Sequence, residues 1–287
     1  VVPPPVLATW FKADAITGVV NGGAIATWPD ASGKGFHATQ GNVSFQPTFV
    51  TGAINGLPAV RFNSANQTYL AFPRPVQDSF TIICVFRSSQ GIGTGQNFWN
   101  GAGLVNGEMP NTVNDFGLSL NANGKVLAGT GNPDVTIAST STSYTNGQPH
   151  VVVFKRTRST GALALYVDGV AQGTATGSQL TLNAPTQLVL GAQQTLNNYL
   201  TGNIAEALEL TEQSLDTLST AAFIEDVAMP ALRLAERDRE RGANPTLRRN
   251  VAEGVDALMG EVELEAAEET ERAEAPIRPL NILCIGG

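Results

Sequence analysis

Residues 147–170 place the tightest limit on what this chain can become. They read Gly-Gln-Pro-His-Val-Val-Val-Phe-Lys-Arg-Thr-Arg-Ser-Thr-Gly-Ala-Leu-Ala-Leu-Tyr-Val-Asp-Gly-Val. Residues 150–156 form an apolar, β-branched run bounded by Gly-Gln-Pro, which predicts a buried strand. Ser159-Thr160-Gly161 supplies the reversal and 162–167 the return strand. Asp168-Gly169 is the dipeptide that best accommodates φ > 0 in a two-residue hairpin turn. Between 91 and 143 the chain is rich in Gly, Asn and Thr, with short strands expected at 116–120 and 125–129. Short strands separated by frequent turn signals predict an all-β sandwich.

Further strands are expected at 7–16, 24–28, 187–191 and 200–210. An unbroken apolar run at 80–86 predicts a strand buried on both faces. Residues 3–5 read as a polyproline lead-in. After the last strand the composition changes: no Lys occurs beyond Arg158, and Arg and Glu take over. Ser214 caps a stretch with apolar residues at helical spacing, which continues through Met229-Pro230 into a charged helix at 231–241. Gly242 ends that helix, and Asn244-Pro245 starts another carrying Val251, Val255, Leu258, Met259 and Val262 on one stripe. The acidic run 261–274 reads as a solvated linker or helix. Residues 276–287 read as a buried parallel-type strand closing on two glycines, the pattern that opens an α/β domain. The expected division is therefore a sandwich at 1–228, a charged helical connector at 229–275, and a truncated first strand at 276–287.

The 287 residues suffice for one large sandwich or two domains. A net charge of -8 and a pI near 4.8 argue against nucleic-acid binding, which needs a clustered basic face. Only 15% of residues are charged, so the polar surface must be built from Ser, Thr, Asn, Gln and Gly, as in many secreted and cell-surface β proteins. Cys84 and Cys284 stand in apolar strands and are expected as buried free thiols. No Cys-x-x-Cys or histidine cluster suggests zinc. No run of about 18 apolar residues could span a bilayer. The opening Val-Val-Pro-Pro-Pro lacks the features of a secretion signal, so a signal removed earlier or an excised piece is expected.

Several passages resemble one family. The 147–170 hairpin with its closing Asp-Gly resembles the signature of laminin G-like and pentraxin-like jelly rolls, of the concanavalin A-like lectin and glucanase group. Trp10 and Asp14 resemble the family's opening strand, and Trp28, Asp30, Ser32 and Gly33 its next passage. Residues 55–63 and 200–210 resemble two later passages. The resemblance covers roughly 5–228. It implies a jelly-roll sandwich of two antiparallel sheets, here with a C-terminal α-helical extension, and it implies core roles for Trp10 and Trp28. The strand at 276–287 resembles the first strand of SGNH-type (GDSL-like) esterases, and almost as well that of a nucleotide-binding α/β domain. The chain is accordingly expected to be a fragment or truncated product.

Catalysis is not expected from these residues. Family glucanases carry Glu-x-Asp-x-x-Glu on one strand, whereas Glu206 and Glu209 are spaced by three and fall on opposite faces. No Gly-x-Ser-x-Gly elbow occurs. His150 reads as a strand residue and Asp168 as a turn residue. For binding, the resemblance implies Ca²⁺ at the sandwich rim, and Glu108, Asn114, Asp115, Asn132 and Asp134 supply oxygens of the kind Ca²⁺ takes. Trp99, Tyr144 and Tyr199 lie in loop-like stretches where an aromatic face could meet a sugar. The reading is a non-catalytic extracellular or cell-surface module for carbohydrate binding or adhesion, with a glycan or a surface protein as partner. Two alternatives stand beside it: an accessory domain of an SGNH-type esterase or carbohydrate-active hydrolase, and a structural surface protein.

Overall fold

The computed structural model describes residues 7–111 and 113–211. The expected helical extension, the connector at 229–275, Cys284 and the strand at 276–287 lie outside the described residues.

Sixteen strands follow one another in chain order. They are β1 (Leu7–Lys12), β2 (Thr27–Trp28), β3 (Ala38–Thr39), β4 (Thr48–Ile54), β5 (Leu57–Phe62), β6 (Leu70–Pro73), β7 (Phe80–Gln90) and β8 (Ala102–Asn106). Then come β9 (Phe116–Leu120), β10 (Val126–Thr130), β11 (Val135–Ala138), β12 (Pro149–Thr157), β13 (Ala162–Val167), β14 (Val170–Thr176), β15 (Gln187–Leu190) and β16 (Thr201–Thr211). One sheet runs β14-β13-β12-β7-β16-β5-β4, with β1 also on β16. The other runs β11-β10-β9-β8-β15-β6-β3-β2. All-β architecture with two antiparallel sheets is therefore observed, as a jelly roll requires. No helix among the described residues is long and apolar enough to cross a membrane.

Between the sheets lies an aromatic core in which Phe11 meets Phe72 edge-on at 4.9 Å and Phe80 lies 4.7 Å from Phe116. Trp28 is fully buried 5.7 Å from Phe11. Trp10, expected in the core, instead sits half-buried, because it follows the outward parity of β1. The Asp30 carboxylate explains the passage around it. It accepts N–H groups from Trp10 and Ser32 at 2.9 Å and from Phe36 at 3.0 Å, besides the Ser32 hydroxyl. Burial alone would raise Asp30, but these donors outweigh it and hold the group below its ordinary value.

The 147–170 hairpin forms as expected: β12 pairs β13 from Val152↔Val167 to Thr157↔Ala162. Asp168 and Gly169 take φ of 53° and 76°, the double positive φ of a type I′ turn, and lead into β14. Arg156 enters the sandwich from β12 and is fully buried. Its guanidinium donates to the carbonyls of Asp78, Ser178 and Leu180, tying the turn before β7 to the segment after β14.

Three expectations change. The strand at 7–16 ends at Lys12, in a 3-10 turn over Ala13–Ala15. The strand at 24–28 shortens to Thr27–Trp28, since the preceding segment is committed to a loop held by Ile25 N–H on the Pro47 carbonyl. The strand at 80–86 is covered on one face only; Phe80, Ile82, Cys84 and Phe86 point inward while Thr81, Ile83 and Val85 are half-buried outside. Cys84 is the expected buried free thiol.

Burial on both faces belongs instead to β8, β9 and β10. The reason is the loop 91–101, which folds over the outer face of the second sheet and plants Phe98 there. Phe98 N–H donates to Thr136 Oγ1 and its carbonyl accepts the Ser119 hydroxyl. A Cβ at Gly117 would meet the ring at 2.9 Å and one at Gly129 at 2.6 Å, so glycine leaves room for it. Phe98→Ala is expected to cost about 3–5 kcal/mol by leaving a cavity over those glycines. Urea unfolding of the variant checks this; a loss under about 1 kcal/mol would show that the loop closes over the gap.

Candidate functional site

Where the Phe98 loop stops, the second sheet stays open. Leu70 and Phe72 of β6 point into the core, so Tyr69 and Ala71 face outward. Ala71 pairs with Thr39, and Thr39 with Thr27, both exposed. This is a small-residue floor at the β2-β3-β6 end. Along it stand three half-buried aromatic rings: Phe45, Tyr69 and Tyr199, with centroids 6.3 Å and then 6.4 Å apart.

Each ring is fixed by its own backbone. Phe45 ends a 3-10 turn (Val43–Phe45) capped by the Asn42 side chain, which accepts from Ser44 N–H at 3.0 Å. Tyr69 N–H donates to the Phe45 carbonyl at 3.1 Å. Tyr199 lies in the β15–β16 loop, and its hydroxyl donates to the Leu196 carbonyl at 2.7 Å. That loop holds Leu196 and Asn198 at φ of 56° and 45°, a conformation costing on the order of 1–3 kcal/mol at a non-glycine residue. Surrounding bonds enforce it: the Gln193 amide donates to the carbonyls of Trp99 and Gly101, and Gly103 N–H to the Asn198 carbonyl. Val43 and Leu196 are exposed at its flanks, 72% and 43%. Such a surface offers ring faces and fixed amides, the pairing that recognises a sugar's C–H face and hydroxyls.

Of the three aromatics read from sequence, Tyr199 is in this row. Trp99 backs it: the ring is half-buried edge-on to Phe98 at 4.9 Å, and its carbonyl anchors the Tyr199 loop. Tyr144 is elsewhere. It is buried, edge-on to His150 at 5.2 Å, so it presents no face to a ligand. Burial, then the Asp168 charge, raises its hydroxyl above the ordinary value. Phe45 and Tyr69 were missed by the sequence reading. The signal available was an aromatic inside stretches of Asn, Gln, Ser and Thr without charge.

The five residues read as calcium ligands are gathered by two loops. Asn132 donates its amide to Asn114 Oδ1 at 2.8 Å, and Gly131 N–H donates to the Asp115 carbonyl at 2.9 Å. Glu108, Asp115 and Asp134 repel one another across the same junction. Their chemistry suits Ca²⁺. Among the described residues, however, no three His, Cys, Asp or Glu side chains converge as a metal cage.

Other ionisable groups among the described residues have structural partners. Glu206 follows a bulge in β16 and accepts the Trp10 indole N–H at 2.5 Å. Burial raises it despite that bond and nearby Lys12. His150 Nδ1 lies 2.8 Å from Asp168 Oδ2, and Nε2 lies 3.0 Å from Asn146 Oδ1, so both ring nitrogens are engaged. Asp168 also accepts Val151 N–H, bracing its own hairpin turn.

Burial and then the nearby Glu108 and Asp134 raise Asp115 from 3.8 to about 7, against the opposing Met109 N–H bond. Between those values the folded chain keeps a proton that the unfolded chain has lost, so stability falls as pH rises through this window. The loss is expected to be on the order of 2–4 kcal/mol. Asp115→Asn keeps an acceptor for Met109 and should flatten the dependence. Denaturant unfolding from acid to neutral pH checks it; an unchanged profile in the variant would assign the dependence elsewhere.

Comparison with known proteins follows the same lines. A family model described as the concanavalin A-like lectin/glucanases superfamily matches residues 57–208. No curated protein matches the chain. Among solved structures, domain 4 of AbnA, a GH43 extracellular arabinanase from Geobacillus stearothermophilus in complex with arabinotriose, is 17% identical. The match covers 74% of this chain and 97% of that one, with a TM-score of 0.51. The CBM40 of Ruminococcus gnavus IT-sialidase, bound to α2,3-sialyllactose, is 18% identical over 52% of this chain and 82% of that one, with a TM-score of 0.37. The first shows the fold; the second carries no argument.

Proposed function

We propose that this chain, which belongs to the concanavalin A-like lectin/glucanases superfamily, is a non-catalytic carbohydrate-binding module of an extracellular or cell-surface protein. One observation carries the reading: the Phe45–Tyr69–Tyr199 row beside the open floor of the second sheet. Aromatic rings held half-exposed by their own backbones lose little entropy on binding, and fixed amides beside them can read hydroxyl positions. The strained Leu196–Asn198 loop fits the same reading, since backbone strain concentrates where a ligand surface is preorganised.

Calcium at the rim loops does not carry over into this proposal: the oxygens of Glu108, Asp115 and Asp134, with Asn114 and Asn132, are of the kind Ca²⁺ takes, but the three carboxylates do not converge as a cage.

Removing the ring of Tyr69 or Tyr199 by substitution with alanine is expected to weaken glycan binding by about tenfold or more each, while Tyr144→Ala leaves the affinity per folded molecule unchanged. A glycan array finds the ligand and calorimetry measures these variants. Binding indifferent to both Tyr69→Ala and Tyr199→Ala would remove the site from this face.

A further inference from the structure

The segments that build the aromatic face share one property: they hold no ionisable side chain. No Asp, Glu, Lys, Arg or His occurs in 38–60, 62–73, 88–107 or 169–205. The polar groups offered beside the rings are amides and hydroxyls, among them Gln194, Asn197 and Thr39. Basic side chains bordering these segments are turned to other work. Arg61, on the first sheet, donates to Asn203 Oδ1 at 3.1 Å. Arg74 stands five residues beyond Tyr69, about 17 Å along an extended strand, and donates to the Pro185 carbonyl and Gln77 Oε1. That separation exceeds the screening length of about 8 Å at physiological salt. His37 borders the floor two residues from Thr39, but its Nδ1 is engaged, accepting the Asp30 N–H at 3.0 Å.

What charge does lie close is negative. Asn106 Oδ1 accepts N–H groups from both Gln194 and Glu108, linking the Tyr199 loop directly to the acidic loop junction. The faces of aromatic rings are themselves the negative ends of their quadrupoles. A carboxylate or sulfate set on this surface would leave water and find no cation within these segments to replace it. Neighbouring rings are also tilted by 33° and 47°, so the three do not make one flat platform and suit a turning chain better than a flat array.

We infer that the face takes a neutral, soluble oligosaccharide of turning backbone, and discriminates against acidic glycans and the flat surface of a crystalline polysaccharide. This rests on reading the face as a glycan site.

The test is calorimetry on the full chain. Neutral α- and β-linked oligosaccharides are compared with an oligouronide and a sialylated oligosaccharide, at about 20 and 500 mM NaCl, alongside retention on crystalline cellulose. The expected result is binding of a neutral chain, lost in Tyr69→Ala, with affinity changing less than about twofold between the two salts. The oligouronide and the sialylated ligand should be at least about tenfold weaker, and cellulose should retain nothing. An acidic glycan bound as tightly as the neutral one through Tyr69, a marked loss of affinity with salt, or retention on cellulose would overturn the inference while leaving the glycan site in place. Absence of binding to every glycan would overturn the site reading and this inference together.

Discussion

The fold hangs on the position of its last strand. β16 lies against β7 along its whole length, from Thr201↔Gln90 to Thr211↔Phe80. Its other edge is shared: Gly202 to Ile204 pair with β5, and after the bulge Glu206 to Leu210 pair with β1. The first strand, the β4–β5 hairpin and the β7-β12-β13-β14 block therefore pair with one another in this sheet through the last described strand. Such pairing closes long loops and is slow to form, but it fixes both ends of the described residues into one sheet. The same strand begins two residues after Tyr199, so the candidate site is anchored by the element that completes the sandwich.

The second sheet is divided by what covers it. At the β8-β9-β10 end the Phe98 loop turns an outer face into interior, and glycines at 117 and 129 make the space. At the β2-β3-β6 end nothing comparable among the described residues lies over Thr27 and Thr39, which are exposed. A jelly roll has two outer faces, and here one half of one of them combines open small residues with a fixed aromatic edge. That asymmetry is what sets the proposed binding surface apart from ordinary sheet exterior, where single exposed apolar residues need no explanation.

The hairpin at 147–170 was readable because its information is local: β-branched alternation and an Asp-Gly turn specify their own conformation. The same local rules found β9, β10, β15 and β16. They missed β3 to β6, β8, β11 and β14; the Gly, Ala and Thr content of β4, β8 and β14 resembles loop until a tertiary partner is supplied. The misreading of 80–86 has the same origin, since an apolar run does not say whether its second face meets a loop or water. At the site, Tyr199 was legible as an aromatic in a polar loop, whereas Phe45 and Tyr69 are 24 residues apart in sequence and become neighbours only by the Tyr69–Phe45 backbone bond. Glu108, Asp115 and Asp134 were legible as a group, because loop composition is a local property. Whether they converge is not.

Net charge gives a last example of a global number misdescribing a local surface. Residues 7–211 hold nine Lys and Arg against nine Asp and Glu, so the whole formal charge of -8 resides in 212–287. The argument against nucleic acid therefore cannot rest on the acidity of the chain. Within the described residues, the arginines of the sandwich serve its loop junctions. Arg74, Arg87, Arg156 and Arg158 each donate to backbone carbonyls of distant segments, and Arg61 to Asn203. A sandwich that is formally neutral, and whose aromatic face is built from uncharged segments, exerts little long-range pull on any charged partner. On the proposed reading, its selectivity would come from contact, through ring faces and amides held in place before a ligand arrives.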